Sequence, residues 1–136
     1  MSVLYSPLRD HPLKATTTDL VAVEGDIDPA EAGSRLLIAP YHVHHTDDEV
    51  FYVRRGQIAF EIGDEEIIAQ TGDAVLIPAG TIHTWWNPGS EPATYLIIMP
   101  HKLDDLINAI HERYRTPEEM AELFTQYDST YIGWTR

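Results

Sequence analysis

The sequence predicts an all-β domain, a sandwich or a barrel, followed by a short helical tail. Three observations support this prediction. Short β-branched or aromatic runs recur along the chain, Pro and Gly separate these runs as far as about residue 100, and the apolar spacing then becomes helical. Many short strands with regular turns are typical of β-sandwiches and barrels. The 136 residues fit one domain that is long enough to bury a core.

The predicted strands are short runs bounded by turn residues, at positions 20–23, 35–39, 50–53, 57–62, 66–69, 74–77, 81–86 and 93–99. Gly63-Asp64 predicts a tight hairpin turn with glycine first, and Asn87-Pro88-Gly89 predicts a second turn. We therefore divide the chain into an N-terminal arm (1–19), a β-barrel (20–100) and a helical tail (101–136).

Two short helices are predicted in the tail. The first has apolar residues at helical spacing from Leu103 to Tyr114. The second has a helix start at Thr116-Pro117, followed by an apolar stripe at Met120, Leu123, Phe124 and Tyr127. Such amphipathic helices must pack on another surface, so the tail forms either a lid over the barrel or a contact with a second subunit.

Charge and composition exclude several classes of function. The formal net charge is −13, which argues against nucleic acid and anionic membrane surfaces as partners. Cysteine is absent, so disulfides and thiolate metal sites are excluded, and seven His remain as potential metal ligands. The sequence has neither an apolar run long enough to span a membrane nor a secretory signal pattern at residues 1–10, so we expect a cytoplasmic protein.

The chemistry-bearing residues lie in two stretches. His42 and His44 are two residues apart and point to the same side of a strand, and Glu49 follows at the start of the next strand. His83 opens a later strand, after the Pro78–Gly80 turn, where it could supply a fourth ligand. Imidazoles and a carboxylate make a mixed nitrogen and oxygen site that suits Fe(II), Mn(II), Ni(II) or Zn(II) and does not suit Ca²⁺.

These two stretches resemble the motifs of the cupin superfamily in its small single-domain form. The first motif has its pattern residues at His42, His44, Glu49 and Gly56. The second motif is matched in full, by Gly72, Pro78, Gly80, His83 and Asn87. Leu36 stands where the family usually has a glycine that opens the first motif. The resemblance covers about residues 20–100, and the helical tail also resembles those of some cupins similar to quercetin dioxygenase.

The resemblance implies a small antiparallel β-barrel (a double-stranded β-helix, or jelly roll), often dimeric, with a metal ion inside. Its ligands would be His42, His44, Glu49 and His83. By analogy with the family, we expect an Fe(II)-type dioxygenase acting on a small organic molecule, with Glu49 as general base. Mn, Ni and Zn remain open as alternative metals. A non-oxidative isomerase, lyase or cyclase and a binding module without catalysis remain open as alternative functions.

Strand alternation predicts which aromatic residues face the cavity. Trp85 falls on the same side of its strand as His83, and Phe51 falls on the same side as Glu49. We therefore predict that Trp85 and Phe51 line the substrate pocket, whereas Trp86 points the other way, toward a sheet or a subunit contact.

Overall fold

The computed structural model describes residues 12–31 and 34–136, so most of the predicted N-terminal arm, His11 included, lies outside the described residues. The described part contains ten strands and two helices. The strands are β1 (Leu13–Lys14), β2 (Leu20–Ile27), β3 (Tyr41–His44), β4 (Glu49–Arg55), β5 (Gln57–Ile62), β6 (Glu65–Gln70), β7 (Ala74–Ile77), β8 (His83–Trp86), β9 (Ala93–Pro100) and β10 (Ser129–Gly133). The helices are α1 (His101–Ile110) and α2 (Pro117–Thr125).

The strands form two antiparallel five-stranded sheets. The first has the order β1-β2-β9-β4-β7, and the second has the order β10-β3-β8-β5-β6. Most neighbouring strands in each sheet are distant in sequence. This arrangement is expected of a double-stranded β-helix, in which the chain passes back and forth between two sheets. The inner faces enclose one apolar core, which includes Phe51, Val53, Ile58, Phe60, Ile77 and Met99. The predicted β-fold with a short helical tail is confirmed.

One predicted turn and one motif glycine have the backbone geometry that their sequence suggests. Ile62 pairs with Glu65, so β5 and β6 are joined by the two-residue Gly63-Asp64 turn, as predicted. Gly56 has a φ of +74° between β4 and β5, and a Cβ atom there would lie 2.7 Å from the Pro92 carbonyl oxygen. Only glycine satisfies both the backbone conformation and the close approach.

The prediction of a strand at residues 35–39 is wrong. That segment runs beside β8, but its backbone pairing is a single bridge, between Leu37 and Trp86, with a hydrogen bond from the Ile38 amide to the Trp85 carbonyl. Pro40 follows at once and has no amide hydrogen with which to continue a ladder. The Arg35 guanidinium covers the outward-pointing Trp86, with its central carbon 3.8 Å from the ring centroid.

The tail contains both predicted helices and one strand that was not predicted. Thr116 and Glu119 form a reciprocal capping box at the start of α2, with Pro117 in the first turn. Asp128 has a φ of 55° and reverses the chain after α2. The chain then enters β10, which pairs antiparallel with β3. The tail therefore adds an edge strand, β10, to the second sheet. Neither helix of the described residues is long and apolar enough to cross a membrane.

Candidate metal centre

Both sheets contribute side chains to one buried polar cluster. β3 supplies His42 and His44, and β8 supplies His83, which is the direct cross-strand partner of His42. β4 of the first sheet supplies Glu49. One ligand atom from each of these four residues lies within 4.8 Å of all the others, and all four residues are buried. The structure thus brings together every metal ligand that the sequence predicts.

The carboxylate of Glu49 is at the centre of this cluster. Its Oε1 atom lies 3.1 Å from Nε2 of His44 and 3.1 Å from Nε2 of His83. The ring of His42 completes the group, with its centroid 4.2 Å from that of His83. Three imidazoles and one carboxylate therefore face a common point.

The outer nitrogens of the three imidazoles are each held by a partner outside the cluster. Nδ1 of His42 lies 2.6 Å from the Pro40 carbonyl oxygen. Nδ1 of His83 lies 2.9 Å from the Thr81 carbonyl oxygen. Because a carbonyl only accepts, both Nδ1 atoms carry hydrogen and donate. Such outer hydrogen bonds fix the ring orientation and tautomer of metal-ligating histidines.

Burial and the neighbouring imidazoles control protonation in the cluster. Burial, followed by the nearby His83 and His44, lowers the pKa of His42 to about 3, so this imidazole is neutral near pH 7. Burial alone would raise the pKa of Glu49. The neighbouring His44 and His83 side chains outweigh burial and hold that pKa well below its usual range. The cluster therefore presents an ionised carboxylate beside a neutral imidazole.

This donor set fits a divalent transition metal. Nδ1 of His83 donates to a carbonyl, so its Nε2 atom carries a lone pair in the neutral ring, and this lone pair faces the ionised Glu49 carboxylate. Two acceptors at 3.1 Å are compatible only when a proton or a cation lies between them. A divalent ion would satisfy the nitrogens and the carboxylate together, and these ligand types suit Fe, Mn, Ni or Zn.

Two cavities lie on the side of the barrel that the tail helices cover, and the smaller one contacts the cluster. An inner pocket of about 50 Å³ contacts His42, His44 and Glu49. A larger cavity of about 420 Å³ has mainly apolar walls. Trp85 and Ile107 line both cavities, so the two are adjacent. Residues from α1 and α2 cover this side of the barrel.

The two predicted pocket aromatics occupy different places. Trp85 lines both cavities, in agreement with its predicted orientation. Phe51 is fully buried in the core behind it, with ring centroids 4.9 Å apart, and Phe51 lines neither of these two cavities. Strand alternation concerns the side of a strand and not how deeply a residue lies in the barrel. A contact of either ring with substrate stays a prediction.

The tail contributes two residues that the sequence analysis does not identify. Ser129 of β10 lies with its hydroxyl oxygen 2.7 Å from Nδ1 of His44. Phe124 of α2 packs against His42, with a ring-centroid distance of 5.8 Å. Phe124 is part of the predicted apolar stripe, but neither residue belongs to a motif. Their contacts depend on how α2 and β10 return to the barrel.

The fold and the site together define a double-stranded β-helix protein with a cluster of three histidines and one glutamate. Comparisons with known proteins agree. Residues 36–99 match the family model described as Cupin domain. Over residues 36–99, which include all four members of the cluster, the chain is therefore similar to the cupin superfamily.

Individual relatives resemble this chain only in part. An uncharacterised protein of Methanocaldococcus jannaschii is 31% identical over 64 residues, which are 47% of this chain and 49% of that protein. This chain therefore spans about half the length of that relative. A crystal structure of a cupin-2 domain protein from Shewanella frigidimarina is 25% identical, with a TM-score of 0.51, and the match covers 66% of this chain and 79% of that chain.

A third similar protein is a candidate sugar phosphate isomerase from Acidithiobacillus ferrooxidans. Its crystal structure is 25% identical in sequence, with a TM-score of 0.52, and the match covers 60% of this chain and 50% of that chain.

Proposed function

We propose that this protein is a metal-dependent enzyme that acts on a small organic molecule. One observation carries the proposal: four buried ligand atoms lie within 4.8 Å of one another, and three of their residues line a small, mainly apolar pocket. His42, His44, Glu49 and His83 would hold the metal. A bound divalent metal would supply Lewis-acid polarisation and open coordination positions for small molecules.

Within that class we propose an Fe(II)-type dioxygenase. The nitrogen-rich donor set suits iron, and the apolar cavity walls would exclude water from a reactive centre. Glu49 stays the predicted general base. The neighbouring His44 and His83 side chains that keep its carboxylate ionised also make it a weak base, so we expect Glu49 to act mainly as a ligand.

The alternative is non-oxidative chemistry with Zn(II), Mn(II) or Ni(II), as in an isomerase, lyase or cyclase. The likeness to a candidate sugar phosphate isomerase favours keeping this alternative. Turnover that continues without O₂ would support it. Recovery of the bound ligand in chemically unchanged form would instead support the binding module without catalysis.

The deciding experiment is elemental analysis of protein purified without chelators, paired with O₂-uptake measurements on the iron-loaded protein with enols, catechols and carboxylates. We expect about one metal ion per chain in the wild type and loss of that metal in His83→Ala. His45→Ala is the matched control, because His45 is exposed and bonds to Thr130 rather than to the cluster. Full metal content in His83→Ala would contradict the proposed ligand set.

We further propose that the protein is a homodimer. Leu76, Val50 and Ile98 pair across neighbouring strands and form an apolar row on the outer face of the first sheet. Leu76 is 56% exposed and Ile98 is 37% exposed. A second copy of this chain would cover such a row.

A further inference from the structure

We propose that the substrate has an apolar body with a hydrogen-bond-donating group, a hydroxyl or an amine, which Asp104 recognises, and that it carries no phosphate group. This inference rests on the proposed function, because it concerns the ligand of the same cavity. It names the chemical class of the substrate and the residue that selects it.

Asp104 is a buried acid in the wall of the larger cavity. It lies in the first turn of α1 and is 3% exposed. Its Oδ2 atom is buried and makes no hydrogen bond to any residue that the structure describes. Its ion-pair partner is Lys14, whose Nζ atom is 3.8 Å from Oδ2, beyond hydrogen-bond distance, and whose side chain is half exposed.

A buried carboxylate that accepts no hydrogen bond is costly, and a ligand in the cavity that Asp104 lines would remove that cost by donating to the carboxylate. The same carboxylate would reject a ligand that lacks a donor, because a site built to bond a hydroxyl or an amine discriminates strongly against analogues without one. Since Lys14 already offsets part of the charge, either a neutral hydroxyl or a cationic amine satisfies Asp104. The position of Asp104 therefore selects for a donor.

The rest of the cavity wall does not suit a phosphate. Phosphate recognition in proteins relies on Arg and Lys side chains or on clustered backbone amides. Among the described residues, neither Lys nor Arg lines either cavity. The wall instead contains two carboxylates, Asp104 and Glu24, and Glu24 already pairs with Arg54. A phosphorylated substrate would place like charges together in a largely apolar space.

Matched probes with one ring and different head groups test this inference. Benzylamine, benzyl alcohol and benzyl phosphate can be titrated into the metal-loaded protein and followed by tryptophan fluorescence, because Trp85 and Trp134 line the cavity. We expect benzylamine and benzyl alcohol to bind at least about 10-fold more tightly than benzyl phosphate, the scale of a hydrogen bond to a charged group. Tighter or equal binding of benzyl phosphate would overturn the inference.

Asp104→Asn and Asp105→Asn form a matched pair of variants. The neighbouring Asp105 side chain is 47% exposed and pairs with His101, so its substitution should leave probe binding unchanged. We expect Asp104→Asn to weaken benzylamine binding about 10-fold or more. Equal benzylamine affinity in Asp104→Asn and the wild type would contradict the inference. The comparison of probes in the wild type requires no variant to fold.

Metal analysis of the wild type beside these titrations separates this inference from the proposed function. If the wild type binds no metal but still prefers benzylamine in an Asp104-dependent way, the substrate class stands and the metal-dependent function fails. If the wild type binds metal but benzylamine shows no dependence on Asp104, the substrate class fails and the metal-dependent function stands.

Discussion

The hydroxyl oxygen of Ser129 lies 2.7 Å from Nδ1 of His44, although the two residues are 85 positions apart in the chain. The same hydroxyl lies 3.1 Å from the Tyr127 carbonyl oxygen, which can only accept. Ser129 therefore donates to Tyr127 and accepts from Nδ1 of His44. This leaves Nε2 of His44 directed at Glu49, so the C-terminal strand orients a ligand of the candidate metal centre.

Replacing Ser129 by alanine should weaken metal binding. The change removes the acceptor that fixes the His44 ring, and loss of such outer partners typically lowers metal affinity about 10- to 100-fold. Competition with a chromophoric chelator would measure the change. Thr130→Ala is the control, because Thr130 bonds to the exposed His45 and not to a ligand. Equal metal affinities in the two variants would show that Ser129 does not position His44.

Acid should destabilise the metal-free protein already below pH 6.5. The pKa of His42 is about 3 in the folded protein and about 6.5 in the unfolded chain, so between these values only the unfolded state binds the proton. The free energy of unfolding should therefore fall by up to about 1.4 kcal/mol for each pH unit lost in this window.

Denaturant unfolding of chelator-treated protein at pH 6 and pH 5 measures this effect. Between these values His42→Gln should lose less stability than the wild type, since its side chain takes up no proton in the unfolded chain. Below about pH 4.5, Glu49 adds to the loss in both proteins, because its lowered pKa favours the folded state only while the carboxylate is ionised. Parallel pH dependences between pH 6 and 5 would argue against a neutral, buried His42.

Truncating Phe124 should loosen both the tail and the cluster. Phe124 is 2% exposed and packs between His42 and Tyr131. Phe124→Ala should cost about 3–5 kcal/mol in the free energy of unfolding, the usual range for a buried phenylalanine. Tyr114→Ala, at a site that is 85% exposed, should cost little. Denaturant unfolding distinguishes the two, and similar small losses would show that α2 contributes little to stability.

If the protein is a dimer, a charged residue on the outer face of the first sheet should lower its molecular mass in solution to that of a monomer. Leu76→Glu places a carboxylate in the apolar row and should give a monomer by size-exclusion chromatography with light scattering. Ile68→Glu is the control, because Ile68 is similarly exposed at 53% but lies in β6 of the other sheet. A wild type that is already monomeric would contradict the proposal.

The local features of this protein can be predicted from its sequence. The Gly63-Asp64 hairpin, the capping box at Thr116 and the alternation that directs His42 and His44 to one side all depend on residues close together in the chain. The physical causes of these features act over a few residues. They are the geometry of a tight turn, the unpaired amides at a helix start and the two-residue period of a strand. The spacing within the two motifs likewise predicted all four members of the cluster.

Only the tertiary structure decided which distant residues support that cluster. Ser129, Phe124 and Asp104 reach the barrel because α1, α2 and β10 fold back on it, and no local pattern encodes such long-range contacts. Residues 35–39 have a strand-like composition but make a single bridge, because pairing needs a partner and Pro40 ends the ladder. The sequence thus determined which side chains could bind a metal. Packing of the tail decided how those side chains are held and what the cavity beside them can recognise.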